Sequence, residues 1–583
     1  MSILTDVLRA TDTYDKHVEG AVRDARDDRA TGDALMKHWQ ATVAAVPEVD
    51  TPTGLRVPAV ALPDLDEPGA VARYLAEENL PGQFPFVNGA YPRMYAAAAK
   101  DTERSEEPTR LFAGLGLAED TNARFRYLGG HQRSARLSTA FDGPTLYGMD
   151  SDADGALGKV GEGGVAIDTV DDVERLYAGF DLADPRVSVS MTISGPAPVM
   201  LAMYVAAAKR RFGGDVVPKL RGTIQADVLK EVQAQNEMVF PIDAALRFLT
   251  DTIEWTTAHM PRWYPVSVSG YHIAEAGATP VQQAAYTLAN GFEYARLLRD
   301  RGLSADAFGP RLSFFLDCGL DVEYLVLARV CRKLWAIAMR DVFEASDPKA
   351  QALKLHTQTS GRSLVAREFR NNLTRTAVEL VLAYANGTNS CHSNAADEPF
   401  TTPSAEYARL AAHAQAILLD ESGLFKHMTN LLGSSPGMRD LARRVEREIR
   451  AEWARLEELG GVLGAVEARY QRSQIQAAAH RYETQVATGE RPIVGVNLYR
   501  ADPPANVEVV RTPLARQRKQ IERLSAFKKR HARKAGAALE TLMQTARAGD
   551  NVFPALIAAA EVCSLGQMVA ALQSVVGRFR PTV

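Results

Sequence analysis

Between residues 110 and 395, short runs of β-branched and aromatic residues end in polar side chains and alternate with longer amphipathic stretches. The runs are RLFAGLG (110–116), RLSTAFD (136–142), VSVSMTIS (187–194), GTIQAD (222–227), VSVSGYH (266–272), RLSFFLDC (311–318), KLHTQTS (354–360) and NSCHSNA (389–395). Segments such as VQQAAYTLANGFEYARLLRD and YLVLARVCRKLWAIAMRDVF carry apolar residues at helical spacing between them. Eight strands alternating with helices predict an α/β fold, a (β/α)8 TIM barrel rather than an open sheet. The C-terminal strand ends of such a barrel build its site. Here they carry Thr192, Gln225, His272, Gln358, His392 and Asn394, and six polar ends on one face are more than strand termination requires.

Outside this region the pattern changes. Residues 1–45 read as helix, with Leu4, Val7, Leu8, Val18 and Val22 on one side. From Pro47 to Pro68 five prolines and no helical period predict an extended linker. After Pro399 the reading is helical: in LARRVEREIRAEWARLEELGG, Leu441, Val445, Ile449, Trp453 and Leu456 form one apolar stripe, the mark of a packed helix. The predicted organisation is a helical arm and linker over 1–74, a catalytic barrel over 75–400 and a helical region over 401–583.

Net charge is −4, so no overall basic field points to nucleic acid or to a membrane surface. Asp6 and Arg9 interrupt the apolar run that a signal peptide would need, and no stretch approaches the roughly 20 apolar residues of a membrane helix. Cys318, Cys331, Cys391 and Cys563 have neither metal nor disulfide spacing. These features predict a cytoplasmic protein. The basic segment RQRKQIERLSAFKKRHARK (516–534) lacks the interleaved aromatics of a nucleic-acid site and reads as a solvated helix face or a partner-docking surface. GALGKVGEGG (155–164) imitates a phosphate loop, but Ala153 stands where its first glycine belongs and Val160 replaces the Mg²⁺-binding hydroxyl.

GTIQADVLKE, VSVSGYHIAEAGAT, RLSFF, HTQTSGRSL and PIVGVNLY together resemble the catalytic large subunit of the adenosylcobalamin-dependent acyl-CoA mutases, the methylmalonyl-CoA mutase family. The likeness runs from about residue 75 to 503. EEPTRLFAGLG, RLSTAFDGPTLYG, SGPAP and GGVLGAVEARYQRSQIQ are similar to the mutase portion of the fused isobutyryl-CoA type, without its cobalamin-binding and G-protein domains. The resemblance implies that His272 hydrogen-bonds the substrate's thioester carbonyl. It implies that Gln358, Asn394 and Glu398 hold the adenosine ribose and that Glu275 lies against the corrin. Arg110, Ser138, Ser190, Thr192, Thr223, Gln225, Arg311, Ser313, Phe315 and His356 would line the channel for coenzyme A and its thioester. Adenosylcobalamin would be bound jointly with a separate small subunit that supplies the cobalt-ligating histidine, so no metal ligand is expected in this chain. A hetero-oligomer such as a dimer of heterodimers, and a G-protein chaperone, belong to the same expectation.

This chain has a cobalt-ligand pattern of its own, Asp15, His17 and Gly20 in D-x-H-x-x-G. It stands between two helical segments with no βαβ succession around it, so it reads as an accident.

Two positions bear on the substrate. Methylmalonyl-CoA mutases carry a tyrosine before the AG of the first strand and an arginine in the helix after GTIQ, where it clamps the substrate carboxylate. This chain has Phe112 and Gln235. A buried carboxylate without its bidentate partner is costly by several kcal/mol, so the pair matches the isobutyryl-CoA type. The 2-hydroxyisobutyryl-CoA type has an aliphatic residue at the Phe112 position and an acid near LSTAFD, which Ser138, Thr139 and Ala140 do not supply. Leu146, Cys391, Pro399 and the long segment AYPRMYAAAAKDTERS depart from the family pattern and leave the acyl chain open. The expected reaction is a radical 1,2-migration of the thioester carbonyl group, interconverting isobutyryl-CoA and n-butyryl-CoA or a related branched pair. The alternatives are a mutase subunit acting on another acyl-CoA and a non-catalytic assembly partner.

Overall fold

The computed structural model describes residues 2–95, 109–129, 134–433, 435–500 and 509–580. The chain divides into two compact units, one of residues 1–108, 269–394 and 410–502, the other of residues 109–268, 395–409 and 503–583.

The unit that opens at residue 109 is built on a five-stranded parallel sheet of β1 (Leu111–Ala113), β2 (Ala135–Ala140), β3 (Val187–Thr192), β4 (Gly222–Ile224) and β5 (Trp263–Tyr264), paired in chain order. Helices Ala118–Gly129, Val170–Leu176, Ala197–Phe212 and Ile242–His259 alternate with the strands. Residues 197–208 of the third are all buried, which explains why its sequence is apolar all round. Gly222 is required where it stands: its φ is +155°, and a Cβ there would lie 1.8 Å from the Val189 carbonyl oxygen.

The basic segment lies in the 35-residue helix Leu514–Ala548 of this unit. It is ion-paired rather than simply solvated: Arg523 meets Glu119 at 2.9 Å, Lys528 meets Asp150 and Asp152 at 2.8 and 2.9 Å, and Arg530 meets Asp171 at 2.5 Å. Part of its charge is thus used within the fold, and the rest is exposed on the helix surface. The phosphate-loop imitation is also occupied by its own unit, the Gly158 N–H donating to Gln517 and the Gly161 N–H to Asp142.

The other unit holds β7 (Leu312–Cys318), β8 (Leu355–Thr359) and β9 (Ser390–His392), all parallel, and resumes in the chain at Ser269, the last residue of the strand β6 (Val266–Ser269). Pro265, which has no N–H to donate, separates β5 from β6 in the chain. All eight predicted runs therefore contain strand, and the chain is α/β with the strand–helix alternation of a TIM barrel. The first helix, Ile3–Asp27, packs Tyr14, Val18, Val22 and Ala25 against Ala72 and Ile337. His17 is exposed in the middle of that helix, and Asp15 pairs with Arg450 at 2.7 Å. No strand leads into His17, so the D-x-H-x-x-G match is an accident of sequence.

Part of the predicted extended linker is paired. Glu48–Asp50 and Arg56–Pro58 pair as an antiparallel hairpin around Thr51–Gly54. Of the prolines that suppress a helical period, Pro52 sits in the turn and Pro58 at a strand end, positions from which a two-stranded ribbon loses no ladder bond. The Trp453 stripe is a packed helix, Pro436–Glu458, with Val445, Ile449, Trp453 and Leu456 buried.

Candidate functional site

The parallel register carries the first result. In the five-stranded sheet Phe112 lies opposite Ser138, Ser138 opposite Ser190, Ser190 opposite Thr223 and Thr223 opposite Tyr264. Four residues singled out by sequence, from four separate runs, thus form one row across the sheet, and Tyr264 completes it. Burial alternates along β3 and β4: Ser190, Thr192 and Thr223 are half-buried between fully buried neighbours. The polar members of the row face away from the helices that cover the other side. Thr192 continues the next row, opposite Ala140.

Past the end of β4 the backbone turns sharply. Gln225 is buried, donates its N–H to the Met191 carbonyl and accepts from Ser194 at 3.5 Å. Asp227 caps the next turn, and a π-helical turn over Glu231–Gln235 ends at Asn236, whose φ of +70° is left-handed. This short, irregular element aims Gln235. Its carbonyl oxygen accepts from the Lys230 ammonium, and its amide nitrogen donates to Glu237 Oε1 at 3.1 Å. Lys230 and Glu231 are themselves a buried ion pair. Burial and the Glu231 charge push the Glu237 carboxyl up to about 7. Arg110 is buried in this unit and Glu398 is half-buried in its segment 395–409.

The other unit has a matching pair of rows. Phe315 lies opposite His356 and His356 opposite Ser390; one layer further, Asp317 lies opposite Gln358 and Gln358 opposite His392. The His356 Nδ1 and the Ser390 hydroxyl are 2.7 Å apart. β6 ends at Ser269, and the short helix Tyr271–Glu275 begins at once. The Gly270 N–H donates to the Phe315 carbonyl at 2.7 Å, tying the start of that helix to β7. A Cβ on Gly270 would strike the Thr287 hydroxyl at 2.3 Å, so the close approach needs glycine.

His272 is held from two sides. The Ser269 hydroxyl is 2.7 Å from its Nδ1, and the Phe315 ring presents to it edge-on, centroids 5.8 Å apart. Tyr271 stacks on Phe315 at 4.9 Å with its ring 3° from parallel, and its hydroxyl accepts from Gln358 Nε2 at 3.0 Å. The same Nε2 donates to Asn394 Oδ1 at 2.7 Å, and Asn394 Nδ2 donates to the Thr359 carbonyl at 2.7 Å. Gln358 and Asn394 are thus brought together as the sequence led us to expect, and Tyr271 joins them. Arg311 and Ser313, half-buried, open β7.

Glu275, three residues after His272, closes the loop that follows β8. It accepts from the N–H groups of Gly361 and Arg362 at 2.8 and 3.2 Å and from the Ser360 hydroxyl at 3.4 Å. Gly361 is a cradle for it, because a Cβ there would lie 2.6 Å from Glu275 Oε2. Burial holds Glu275 above the usual carboxylate range, against the pull of those donors. Behind it Asp317 accepts from the Tyr324 hydroxyl at 2.6 Å, and burial together with the Glu275 charge raises Asp317 to about 7.

Two residues outside the sequence-derived set belong here. Tyr264 lies outside the eight predicted runs, in a two-residue strand too short for any period to show. Tyr271 could have been found as the neighbour of His272 in SGYH, although nothing in the pattern shows that it stacks on Phe315. The segment AYPRMYAAAAKDTERS (90–105) is described only to residue 95, so the rest of it lies outside the described residues. Among the described residues no group of three or more His, Cys, Asp or Glu is placed to hold a metal ion, and no helix is long and apolar enough to cross a membrane.

A family model for methylmalonyl-CoA mutase matches residues 59–578. The chain belongs to the methylmalonyl-CoA mutase family. Among its relatives in that family, a fused isobutyryl-CoA mutase of Geobacillus kaustophilus is 44% identical over 565 residues, covering 92% of this chain and 51% of the relative. The 2-hydroxyisobutanoyl-CoA mutase large subunit of Aquincola tertiaricarbonis is 35% identical and covers 87% of this chain and 89% of its own. The methylmalonyl-CoA mutase of Escherichia coli is 38% identical, covering 86% and 69%. The chain spans about half the length of the fused relatives that it matches. Of the residues that likeness to the methylmalonyl-CoA mutase family singles out for substrate, Phe112, Ser138, Ser190 and Thr223 lie in one row and Phe315 and His356 in another.

Proposed function

We propose that this chain is the large subunit of an adenosylcobalamin-dependent acyl-CoA mutase that interconverts isobutyryl-CoA and n-butyryl-CoA or a closely related branched pair. The observation that carries the proposal is Gln235. Where the methylmalonyl-CoA enzymes place a guanidinium, this chain has a neutral amide whose oxygen and nitrogen are engaged by Lys230 and Glu237. Phe112, at the head of the polar row, adds an apolar edge. Neither side chain can neutralise a carboxylate on the acyl group, and both suit a hydrocarbon one.

The residues fit the cofactor by the chemistry of their donors. Gln358 and Asn394 form a bonded pair of amides beside the Tyr271 hydroxyl, a set able to exchange hydrogen bonds with sugar hydroxyls. Glu275 is locked to the loop 360–362, where it would lie against the corrin, and Glu398 would join the ribose contacts. Adenosylcobalamin, when bound, supplies the radical chemistry. The chain's own part is binding and orientation. His272, its ring fixed by Ser269 and Phe315, would hydrogen-bond the thioester carbonyl while that group moves by one carbon. The Ser138–Ser190–Thr223 row, with Thr192, Gln225, Arg110, Arg311, Ser313 and His356, would hold the coenzyme A arm and thioester. Phe315 and Tyr271 would form an apolar wall that keeps water from the reacting carbons. The net change is an isomerisation: the thioester group and one hydrogen exchange neighbouring carbons. The cobalt-ligating histidine would come from a small cobalamin-binding subunit.

The test is a side-by-side assay of isobutyryl-CoA, n-butyryl-CoA and methylmalonyl-CoA with the chain, the cofactor and a cobalamin-binding small subunit. Interconversion of the first two, with methylmalonyl-CoA at least about a hundredfold poorer, is the expected result for a missing charged partner. Comparable rates with methylmalonyl-CoA would return the chain to the methylmalonyl-CoA reading.

A further inference from the structure

The polar cluster around Gln235 has an unbalanced charge. Lys230 is buried against Glu231, with side chains 1% and 0% exposed, and that pair neutralises itself. Glu231 Oε2 also accepts from the Glu237 N–H at 2.8 Å, which draws the Glu237 backbone onto the same turn. Glu237 therefore stands as a second carboxylate beside one cation, and its Oε1 is 3.1 Å from the Gln235 amide nitrogen. The residue is half-buried, so its charge is poorly screened. Tyr147, on a different element, is raised above the ordinary tyrosine range by burial first and then by the charges of Glu237 and Glu231. The groups acting on Glu237 are thus Glu231 with a like charge, Lys230 with an opposite charge, Gln235 as a hydrogen-bond donor and Tyr147 as a neutral neighbour.

We infer that Glu237 is a specificity residue of the acyl pocket, whose carboxylate, held against the Gln235 amide, rejects acyl groups that bear a carboxylate of their own. The inference rests on the reading of Gln235 given under Proposed function and adds a repulsive element to it. A missing guanidinium only fails to reward an acid, whereas a like charge at the same place penalises it. Specificity of this kind has a signature that Gln235 alone cannot produce. Burial and Glu231 push Glu237 up to about 7. A substrate carboxylate, titrating near 4, stays ionised through neutrality. Acidification thus neutralises the protein's charge and leaves the substrate's, and discrimination relaxes.

The experiment compares the unmodified full chain with Glu237→Gln, reconstituted with cofactor and small subunit, using isobutyryl-CoA and methylmalonyl-CoA from about pH 6 to about pH 8. Binding of the same two esters to the chain by calorimetry gives a second readout. Preference for isobutyryl-CoA should rise with pH through neutrality in the unmodified chain. In Glu237→Gln it should be flat and smaller by about tenfold at the alkaline end. A circular dichroism spectrum and melting temperature matching those of the unmodified chain certify that the variant is folded. An unchanged preference and pH profile in the variant overturns the role of Glu237 and leaves the isobutyryl reading standing. An equal loss of both esters makes Glu237 a structural residue and also overturns the inference. Failure of the unmodified chain to bind or turn over isobutyryl-CoA overturns the parent reading and this one with it.

Discussion

The Ser269 hydroxyl and His272 Nδ1 lie 2.7 Å apart, across the step where a strand ends and a one-turn helix begins. Ser269 is fully buried and belongs to the last position of β6, so the contact is as rigid as the sheet. It selects one rotation of the imidazole, and thereby the direction in which the other ring nitrogen points. Ser269→Ala should lower kcat about tenfold with little change in KM, the effect of a misaimed group rather than of lost binding. Ser269→Thr, which keeps the hydroxyl, should recover most of it. A kcat unchanged in Ser269→Ala, with an unchanged melting temperature, would show that the hydroxyl does not aim the ring.

His272 itself should matter during migration rather than on binding. Removing a preorganised donor from developing charge costs about a hundred- to a thousandfold in turnover. His272→Ala is expected to show that loss in kcat while the dissociation constant for isobutyryl-CoA, measured on the chain by calorimetry, stays within about threefold. A collapsed binding constant with normal turnover of bound substrate would make His272 a binding residue instead.

These two side chains also mark what the sequence could and could not reveal. His272 stands at a predicted strand end, and Phe112, Ser138, Ser190, Thr223 and Gln358 stand at or near others. Strand period and register follow from burial on one side, so they can be read from alternating side chains. The hairpin at 48–58 was illegible for the opposite reason. Its strands are three residues each and half-exposed, too short for any period to emerge through five prolines. The ion pairs of basic 516–534 are invisible in the sequence because their partners, Glu119, Asp120, Asp150, Asp152 and Asp171, lie more than 300 residues away. The Glu237–Gln235 contact spans two residues, yet it depends on a π-turn and a left-handed Asn236 that no hydrophobic pattern encodes.

Asp317 predicts a pH dependence of stability. Burial and the neighbouring Glu275 charge raise it to about 7, so between its ordinary value and about 7 the folded chain holds a proton that the unfolded chain has released. More protons bound in the folded state means that stability falls as pH rises. The contribution is fully present at acidic pH and is lost as pH passes upward through about 7. Asp317→Asn keeps an acceptor for the Tyr324 hydroxyl and removes the titration. Its melting temperature should therefore fall less steeply than that of the unmodified chain between about pH 5 and about pH 8. Parallel pH profiles for the two proteins would show that Asp317 does not titrate in this range.

The last prediction concerns converting the pocket to an acid. Phe112→Tyr with Gln235→Arg restores the side chains expected of a methylmalonyl-CoA pocket, but the surroundings of residue 235 oppose the change. The new guanidinium would enter beside the Lys230 ammonium, which now donates to Gln235, and beside Glu237, which now accepts from it. It would be repelled by the first and captured by the second, an ion pair within the protein in place of one with substrate. The double variant should therefore narrow the preference mainly by weakening isobutyryl-CoA, with methylmalonyl-CoA gaining little. Adding Glu237→Gln frees the guanidinium, and the triple variant should exceed the double in methylmalonyl-CoA turnover by about tenfold or more. Measured kcat/KM for both esters in the double and triple variants decides it. Full methylmalonyl-CoA turnover in the double variant would mean that Glu237 does not hold the arginine and that the pocket is limited by residues 112 and 235 alone.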